Sequence, residues 1–383
     1  MPQRPPSSRF GSLGEDAAEG DHRRRVIEDP GRYHGDIAAS ELHWYDPDLG
    51  AWLNRDPETG GWSGHTAKDG AEVGSAAAPA RPTEWRPWET AFDDSEAPFY
   101  RWFAGARTNA CFNELDRHVL AGRGEDTALI FEGDRWDPSR NDGVGGPVVQ
   151  QEVRYRELLS ETVIRAEVLS GLGLAKGDRI AFNLPNILEQ IYYTEAAKRL
   201  GIIYTPVFGG FSAKTLSDRI HDAGARVVVT ADGGYRNAEV VPYKERFTDA
   251  ALDNYIPSGQ ALGALRSLLT DRLAEETADR IQSAVAAALE GEITLERGDL
   301  MRELGRALAR EPELGPGATA ELRTAVARAL AGVEREVERV VVVRYTGQEI
   351  VERPRDVWSG ELVEAATERV LERARDAGFE VRS

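Results

Sequence analysis

Sulfur is scarce in this sequence, which has one cysteine and two methionines among 383 residues. A single cysteine excludes both an intramolecular disulfide framework and a thiolate metal cluster within the chain. The residues on either side, Asn109-Ala110 and Phe112-Asn113, include no base that could activate Cys111. We therefore expect Cys111 to be a small buried hydrophobe in a reducing compartment, and not a nucleophile.

Long hydrophobic runs and an excess of basic charge are also lacking. No apolar run approaches the length of a membrane span, and the N-terminus has no hydrophobic stretch of the kind found in signal peptides. The formal net charge is −18, and a surface of that sign repels the phosphates of nucleic acids. We predict a cytoplasmic protein that binds neither membranes nor nucleic acid.

Residues 1–97 show little hydrophobic periodicity. Residues 1–30 are rich in proline, serine, glycine and charge, a composition that predicts a flexible extension. The following residues, to position 97, include aromatic side chains that are costly to leave in water, namely Trp44, Tyr45, Trp52, Trp62, Trp85 and Trp88. We predict an irregular segment that these aromatics attach to the main body. An exposed aromatic stripe for a carbohydrate or a base is the alternative.

Residues 98–253 have the pattern of an α/β subdomain. Short apolar strands alternate with helices, with strands predicted at 179–184, 202–207 and 226–231 and helices at 186–200 and 213–223. This alternation is typical of a parallel sheet flanked by helices on both faces, with right-handed crossovers. In such sheets ligands bind beyond the C-terminal ends of the strands.

Residues 254–335 change to alanine, leucine, glutamate and arginine at helical spacing, which predicts a helical insertion. We interpret this insertion as a spacer or packing module, because its charges fit a solvated face. Residues 336–383 then return to the α/β subdomain. The run Val340–Val343 predicts a buried strand of the same sheet, and residues 360–377 predict a last amphipathic helix.

One stretch, Val207-Phe208-Gly209-Gly210-Phe211-Ser212, joins a predicted strand to a predicted helix. Ser212 can cap the helix, whose first N–H groups are free to meet a ligand. Paired glycines permit positive φ and leave no Cβ in the way of a close approach. From these residues alone, an ordinary strand-to-helix turn remains open beside a ligand-binding turn.

The same stretch, with Asp218-Arg219-Ile220 and Thr230-Ala231-Asp232 after it, resembles the AMP-forming acetyl- and propionyl-CoA synthetases. Upstream, Trp102-Phe103 and Leu115-Asp116-Arg117-His118 are similar to the signature with which that family begins. From about Trp85 onward the chain is most similar to the ligase portion of the trifunctional propionyl-CoA synthases of 3-hydroxypropionate metabolism. That similarity includes Asn183-Leu184-Pro185-Asn186 and Tyr235-Arg236-Asn237-Ala238.

The resemblance implies the N-terminal subdomain of the adenylate-forming ligase fold. It also implies a reaction in which ATP activates a short carboxylate, propionate or 3-hydroxypropionate, to an acyl-adenylate that CoA converts to acyl-CoA. The family's phosphate loop, Mg²⁺ carboxylates and acyl pocket lie further along and are not in this chain. We therefore expect the front section of a ligase, inactive alone, with the rest of the ligase and possibly dehydratase and reductase domains as partners. The alternative is a non-catalytic scaffold or interaction module.

For the site, the resemblance implies that Phe208, Gly209 and Gly210 pack near the adenine of CoA and that Arg236 meets its phosphates. It implies no catalytic and no metal-binding residue in this chain, so ATP and Mg²⁺ would bind only in the full-length enzyme. The sequence departs from the family at one place. Acetyl-CoA synthetases have two basic residues three apart here, whereas this chain has Arg236 and then Glu239.

Overall fold

The computed structural model describes residues 16–46, 51–56, 59, 61–65, 85–333 and 337–343. These residues fall into two compact units. The first comprises the described residues up to Asp126 together with Tyr155–Leu159, and the second comprises Thr127–Arg154 and the described residues from Ser160 onward. None of the described helices combines the length and the apolar character that crossing a membrane requires.

The first unit contains two helices, an antiparallel three-stranded sheet and a separate two-stranded ribbon. In chain order these are α1 Asp16–Glu28, α2 Pro30–Glu41, β1 Trp44–Asp46, β2 Ala51–Arg55, β3 Trp62–His65, β4 Thr90–Asp93 and β5 Arg101–Ala104. The sheet has the order β1-β2-β3, and β4 pairs with β5. Two π-helical turns, Phe112–Asp116 and Val119–Arg123, follow, and Cys111 beside them is fully buried, as predicted.

The N-terminal segment is more regular than its composition predicts, and the prediction of a flexible extension is wrong for residues 16–28. The start of α2 has a local cause. The Asp29 carboxylate accepts a hydrogen bond from the Arg32 backbone N–H at 2.8 Å, and Pro30 occupies the first turn, where its missing N–H costs nothing. Residues 1–15 lie outside the described part of the chain.

Tryptophans form the core of this unit. Trp44 and Trp88 are buried and meet edge to face with ring centroids 4.9 Å apart, and Trp62 contacts both rings. Leu53 and Ala38 complete the cluster. The cluster lies within residues 38–106 of this unit, so attachment of the segment to the α/β subdomain stays a prediction. The burial of Trp44 and Trp88 argues against the alternative of an exposed aromatic stripe at these two positions.

The second unit begins with two antiparallel ribbons and then alternates strands and helices. Its elements are β6 Thr127–Glu132, β7 Trp136–Asp137, β8 Gly146–Pro147, β9 Gln150–Arg154, α3 Tyr155–Gly171, β10 Arg179–Asn183, α4 Leu188–Leu200, β11 Ile203–Pro206, α5 Ala213–Ala223, β12 Val227–Ala231, β13 Gly234–Arg236, β14 Glu239–Val241, α6 Ala250–Asn254, β15 Tyr255–Pro257, α7 Ser258–Arg272, α8 Glu275–Ala288, β16 Thr294–Glu296, α9 Arg297–Leu308, α10 Pro316–Ala331 and β17 Arg339–Val343. Only the first residues of α3 belong to the other unit.

Strands β10, β11, β12 and β17 form one sheet in the order β11-β10-β12-β17, and every neighbouring pair is parallel. The predicted parallel α/β sheet is therefore confirmed, including the return of residues 340–343 to it. Alternate side chains of the central strands reach opposite faces. Phe182 and Val229 pack with α3 and α4 on one face, whereas Ala181 and Val228 pack with Leu216 of α5 on the other.

Helices α7 to α10 have a hydrophobic core of their own. Its fully buried members include Leu265, Leu269, Ile281, Val285, Leu300 and Leu304. The ribbon β15–β16 lies at the α5 side of this bundle, where the Asp218 carboxylate accepts hydrogen bonds from the backbone N–H and the hydroxyl of Thr294. The predicted helix at 360–377 lies outside the described residues.

Candidate functional site

The turn between β11 and α5 leaves the C-terminal edge of the sheet. The Val207 N–H donates to the Phe182 carbonyl at 2.8 Å, which extends the parallel pairing by one residue. The chain then turns at Phe208–Phe211, closed by a 2.9 Å hydrogen bond from the Phe211 N–H to the Phe208 carbonyl. Ser212 caps α5, since its hydroxyl accepts from the Thr215 N–H at 3.2 Å. The predicted cap is confirmed.

Two aromatic rings stand at the surface of this turn. Phe208 is 63% exposed and Phe211 is 45% exposed, and their rings meet edge to face at 5.8 Å. Exposed apolar side chains that lie together, unlike single ones, are typical of a surface that contacts another molecule. Together they present an aromatic surface directly before the N-terminus of α5.

The two glycines of the turn are required for close packing and not for positive φ, which neither of them adopts. A Cβ atom on Gly209 would overlap the Tyr243 hydroxyl oxygen and lie 2.7 Å from Cε1 of the same ring. On Gly210 it would lie 2.6 Å from Phe208 Cε1 and 3.3 Å from Arg236 Nη1. Side-chain atoms of the protein therefore occupy the space beside the two glycines, where the sequence pattern suggests a ligand or another backbone.

The hairpin β13–β14 holds Arg236 at the end of its first strand, directly opposite Glu239. The two residues between them, Asn237 and Ala238, have φ values of 52° and 64°. Two consecutive left-handed residues are the geometry of a type I′ hairpin turn, which is unfavourable for alanine. The Ala238 N–H donates to the Asp134 carboxylate at 2.8 Å, and this hydrogen bond secures the tip of the hairpin.

The structure brings the predicted residues Phe208, Gly209, Gly210 and Arg236 together at one edge of the sheet. Nη1 of Arg236 lies beside Gly210, and the Phe208 ring lies on the same side of that glycine. Within the part of the chain that the structure describes, Arg236 makes no ion pair. Glu239 lies opposite Arg236 in the hairpin, but these two described residues form no ion pair with each other. Whether the four residues bind CoA remains a prediction.

Tyr243 is a site neighbour that the sequence did not reveal. It is 5% exposed and lies between the two turns. Burial raises the pKa of the Tyr243 phenol, while the positive charge of Arg236 opposes that rise. No motif marks Tyr243 in the sequence, because its role depends on contacts with residues of two other turns.

The chemistry of this edge fits a ligand with an aromatic ring and anionic groups. An exposed aromatic ring provides a stacking surface, a guanidinium can bind a phosphate through two N–H groups, and the first turn of a helix favours negative charge. CoA combines an adenine with phosphates. Within the described residues, no group of three or more His, Cys, Asp or Glu side chains is placed to hold a metal ion.

Two segments of the chain match known protein families. Residues 117–303 match the family described as AMP-binding enzyme, and residues 77–113 match the acetyl-coenzyme A synthetase N-terminus. The matched segments therefore resemble AMP-binding enzymes of the acyl-CoA synthetase family.

Several curated relatives carry the name acetyl-coenzyme A synthetase. The protein of Thiobacillus denitrificans is 44% identical over 170 residues, which are 44% of this chain and 24% of the relative. That of Pasteurella multocida is 41% identical over 165 residues, 43% of this chain and 23% of the relative. That of Mycolicibacterium smegmatis is 39% identical over 170 residues, which are 43% of this chain and 17% of the relative. The matched part of the chain thus spans about a quarter or less of the length of these relatives.

Proposed function

We propose that this chain is the front part of an AMP-forming acid–CoA ligase and that it forms one wall of the CoA site. The observation that carries the proposal is the convergence of exposed Phe208 with Arg236 at the start of α5. The proposed substrates are ATP, CoA and a short carboxylic acid. ATP and its Mg²⁺ would be held by residues outside this chain.

The proposed reaction has two steps. The acid attacks the α-phosphate of ATP and releases pyrophosphate, and the CoA thiol then attacks the acyl-adenylate and releases AMP. Such reactions depend on positioning and on neutralising phosphate charge. In the second step, the residues of this chain would bind and orient CoA and would not touch the reacting atoms.

Each member of the proposed wall has a separate part. The Phe208 ring offers a face on which an adenine can stack, with Phe211 holding its edge. The Arg236 guanidinium would take a phosphate bidentately. Because the chain as a whole carries a formal charge of −18, a local cation is needed to offset repulsion of an anionic ligand.

For the acid, we propose propionate or 3-hydroxypropionate. The support is the similarity of residues such as Tyr235-Arg236-Asn237-Ala238 to the ligase portion of propionyl-CoA synthases. The names of the relatives above make acetate the competing substrate. In a ligase that contains this segment, acid-dependent exchange of pyrophosphate into ATP should be faster with propionate or 3-hydroxypropionate than with acetate. The 383-residue chain alone should show no exchange above a no-enzyme control.

CoA binding by the 383-residue chain tests the proposed wall. We expect titration calorimetry to detect binding, and Arg236→Ala to raise the Kd about tenfold through loss of a charge-assisted phosphate contact. Arg266→Ala is the matched control, because Arg266 is exposed on α7 and its loss changes the net charge equally. That control should stay within about twofold of the parent, as expected for a distant exposed charge.

A parent chain that does not bind CoA would contradict the proposal and favour the scaffold alternative. Equal weakening by the two substitutions would also contradict it, since the effect would then reflect net charge and not a phosphate contact at Arg236.

A further inference from the structure

Tyr243 contacts both turns of the proposed CoA wall with opposite edges of one ring. Its Cε1 edge and hydroxyl lie against Gly209, where a Cβ atom would approach Cε1 to 2.7 Å and Cζ to 2.9 Å. Its Cε2 edge lies against Gly234, where a Cβ atom would approach to 3.1 Å. Gly234 begins the strand that ends in Arg236. One rigid, buried ring therefore separates the two turns.

We propose that Tyr243 is a positioning residue that couples the Phe208–Gly210 turn to the Gly234–Arg236 strand and so fixes the spacing between the aromatic ring and the guanidinium. This inference rests on the proposed function for its ligand, CoA. Close-packed interiors transmit displacement, because a group that moves on one side of a rigid ring displaces the groups packed on the other side.

The segment that carries Tyr243 is itself fixed to the sheet. The π-helical turn Lys244–Asp249 follows directly, and Lys244 is paired with the Asp249 carboxylate at 2.8 Å. In the same turn, the buried Thr248 hydroxyl accepts from the Asn183 side-chain amide at 3.0 Å and donates to the Thr230 hydroxyl at 2.9 Å. Thr248 is thus tied to the ends of β10 and β12. Such π-helical turns are uncommon and often occur at functional sites.

The aromatic surroundings restrict the ring as well. Phe247 meets Tyr243 edge to face with ring centroids 5.4 Å apart. The Tyr243 hydroxyl faces the Gly209 turn. Arg236 Nη1 lies 3.3 Å from the position that a Cβ atom on Gly210 would take, in the turn whose Gly209 contacts the Tyr243 ring. The Tyr243 ring thus contacts both Gly209 and Gly234.

Contact with Tyr243 explains why position 209 requires a glycine. A side chain on residue 209 would collide with the Tyr243 hydroxyl oxygen, Cε1 and Cζ, and all three atoms are absent from leucine. Gly209→Ala should therefore weaken CoA binding in the parent chain, and should weaken it less when combined with Tyr243→Leu. Tyr243→Phe keeps both ring edges and serves as the conservative variant.

The test is a double-substitution cycle in the full 383-residue chain, with amide hydrogen exchange measured at residues 208–212 and 234–238. We expect Tyr243→Leu to accelerate exchange on the order of tenfold in both segments together, because each loses the same support. Tyr243→Phe should stay within about twofold. Tyr204→Leu removes a partly buried ring that stacks on Phe182 in the same sheet, and it should not loosen the two segments jointly.

Affinity for CoA is the second readout. Tyr243→Leu should raise the Kd several-fold, and Gly209→Ala about tenfold, while the double variant should bind better than Gly209→Ala alone. If Gly209→Ala does not fold, the Tyr243 variants and the rescue by the double variant still decide the question. Acceleration of exchange in one segment only, or strictly additive effects of the two substitutions, would overturn the coupling.

The two proposals fail in different ways. A parent chain that does not bind CoA contradicts the proposed function, whereas the exchange data still confirm or overturn the coupling through Tyr243. A parent that binds CoA, with both segments indifferent to Tyr243→Leu, contradicts the coupling alone.

Discussion

The parallel sheet has one arginine at the edge where its strands begin and another at the edge where they end, and the two differ in their partners. At the edge where the strands begin, Arg226 donates to both oxygens of Glu338 at 2.9 and 3.0 Å and to Asp178 at 3.0 Å. At the edge where the strands end, Arg236 makes no ion pair with any residue that the structure describes. Exposed Phe208 stands beside it.

This difference separates charges that hold the sheet from charges that are available to a ligand. Arg226 precedes β12, Asp178 precedes β10 and Glu338 precedes β17, so one guanidinium joins the starts of three parallel strands. Such exposed pairs stabilise modestly and leave nothing to offer a substrate. In parallel sheets the opposite edge receives the turns that bind ligands. Arg236, whose guanidinium has no ion pair among the residues that the structure describes, is at that edge.

The largest expected effect comes from the backbone packing at the strand-end edge. A Cβ atom on Gly234 would lie 2.6 Å from Pro185 Cβ and 2.7 Å from its Cγ, both in a rigid ring. Gly234→Ala should therefore lower the free energy of unfolding by about 2–3 kcal/mol, as overpacking does. The measurement is urea unfolding followed by circular dichroism.

Gly263 is the matched control for Gly234. It lies inside α7 with open space around the position that a Cβ atom would take, so Gly263→Ala should raise the free energy of unfolding by about 0.5–1 kcal/mol through helix propensity. A loss of similar size at both positions would remove the contrast between a tightly packed edge and an open helix surface.

A smaller effect is expected when the missing second cation of the strand-end edge is restored. Glu239 faces Arg236 across the hairpin, where its carboxylate repels an anionic ligand. Opposite charges about 4 Å apart interact by roughly 1 kcal/mol in bulk water, so Glu239→Lys should lower the Kd for CoA about fivefold. Glu239→Gln should give part of that gain. Titration calorimetry at low and high salt measures both, and an unchanged or raised Kd for Glu239→Lys would place the phosphates elsewhere.

The smallest effect concerns the other edge and its response to acid. The hydrogen bond from Arg226 holds the pKa of Glu338 below its usual 4.5, and the Ala175 N–H, followed by Arg226, holds that of Asp178 below 3.8. Depressed carboxylate pKa values stabilise the fold above the unfolded values, and this stability is lost as the pH falls through the folded ones. The unfolding midpoint in urea should therefore fall as the pH drops below about 4.5.

Arg226→Gln provides the control for that slope. The slope should become shallower without vanishing, because the Ala175 N–H remains bonded to Asp178 at 2.8 Å. CoA affinity at pH 7 should be the same in the variant and the parent. A variant that loses CoA binding, or keeps the full slope, would contradict the division of labour between the two edges.

Sequence signals that act within a few residues predicted the elements around α5 well. The helix at 213–223 and its Ser212 cap were readable because caps and apolar spacing act within a few residues. The return of residues 340–343 followed from a continuous valine run. The helices at the N-terminus were missed because charge and proline obscured the cap at Asp29.

The reason for Gly209 could not be predicted from the sequence. The pattern suggested positive φ or the approach of a ligand, whereas the structure shows close contact with Tyr243, a residue of a later turn. The same holds for Ala238, whose left-handed conformation depends on Asp134 far earlier in the chain. Both features arise from tertiary contacts, and one sequence carries no record of them.

The most direct test of the central claim is a CoA titration of the deuterated, ¹⁵N-labelled chain, followed by amide chemical shifts. The account predicts that shifts move at Phe208–Ser212 and Gly234–Ala238, saturating with one Kd. Amides at the opposite edge, beside Arg226 and Glu338, should not move. Shifts of equal size at the strand-start edge or in α7–α10, with residues 208–212 unaffected, would contradict the placement of the CoA wall at the strand ends.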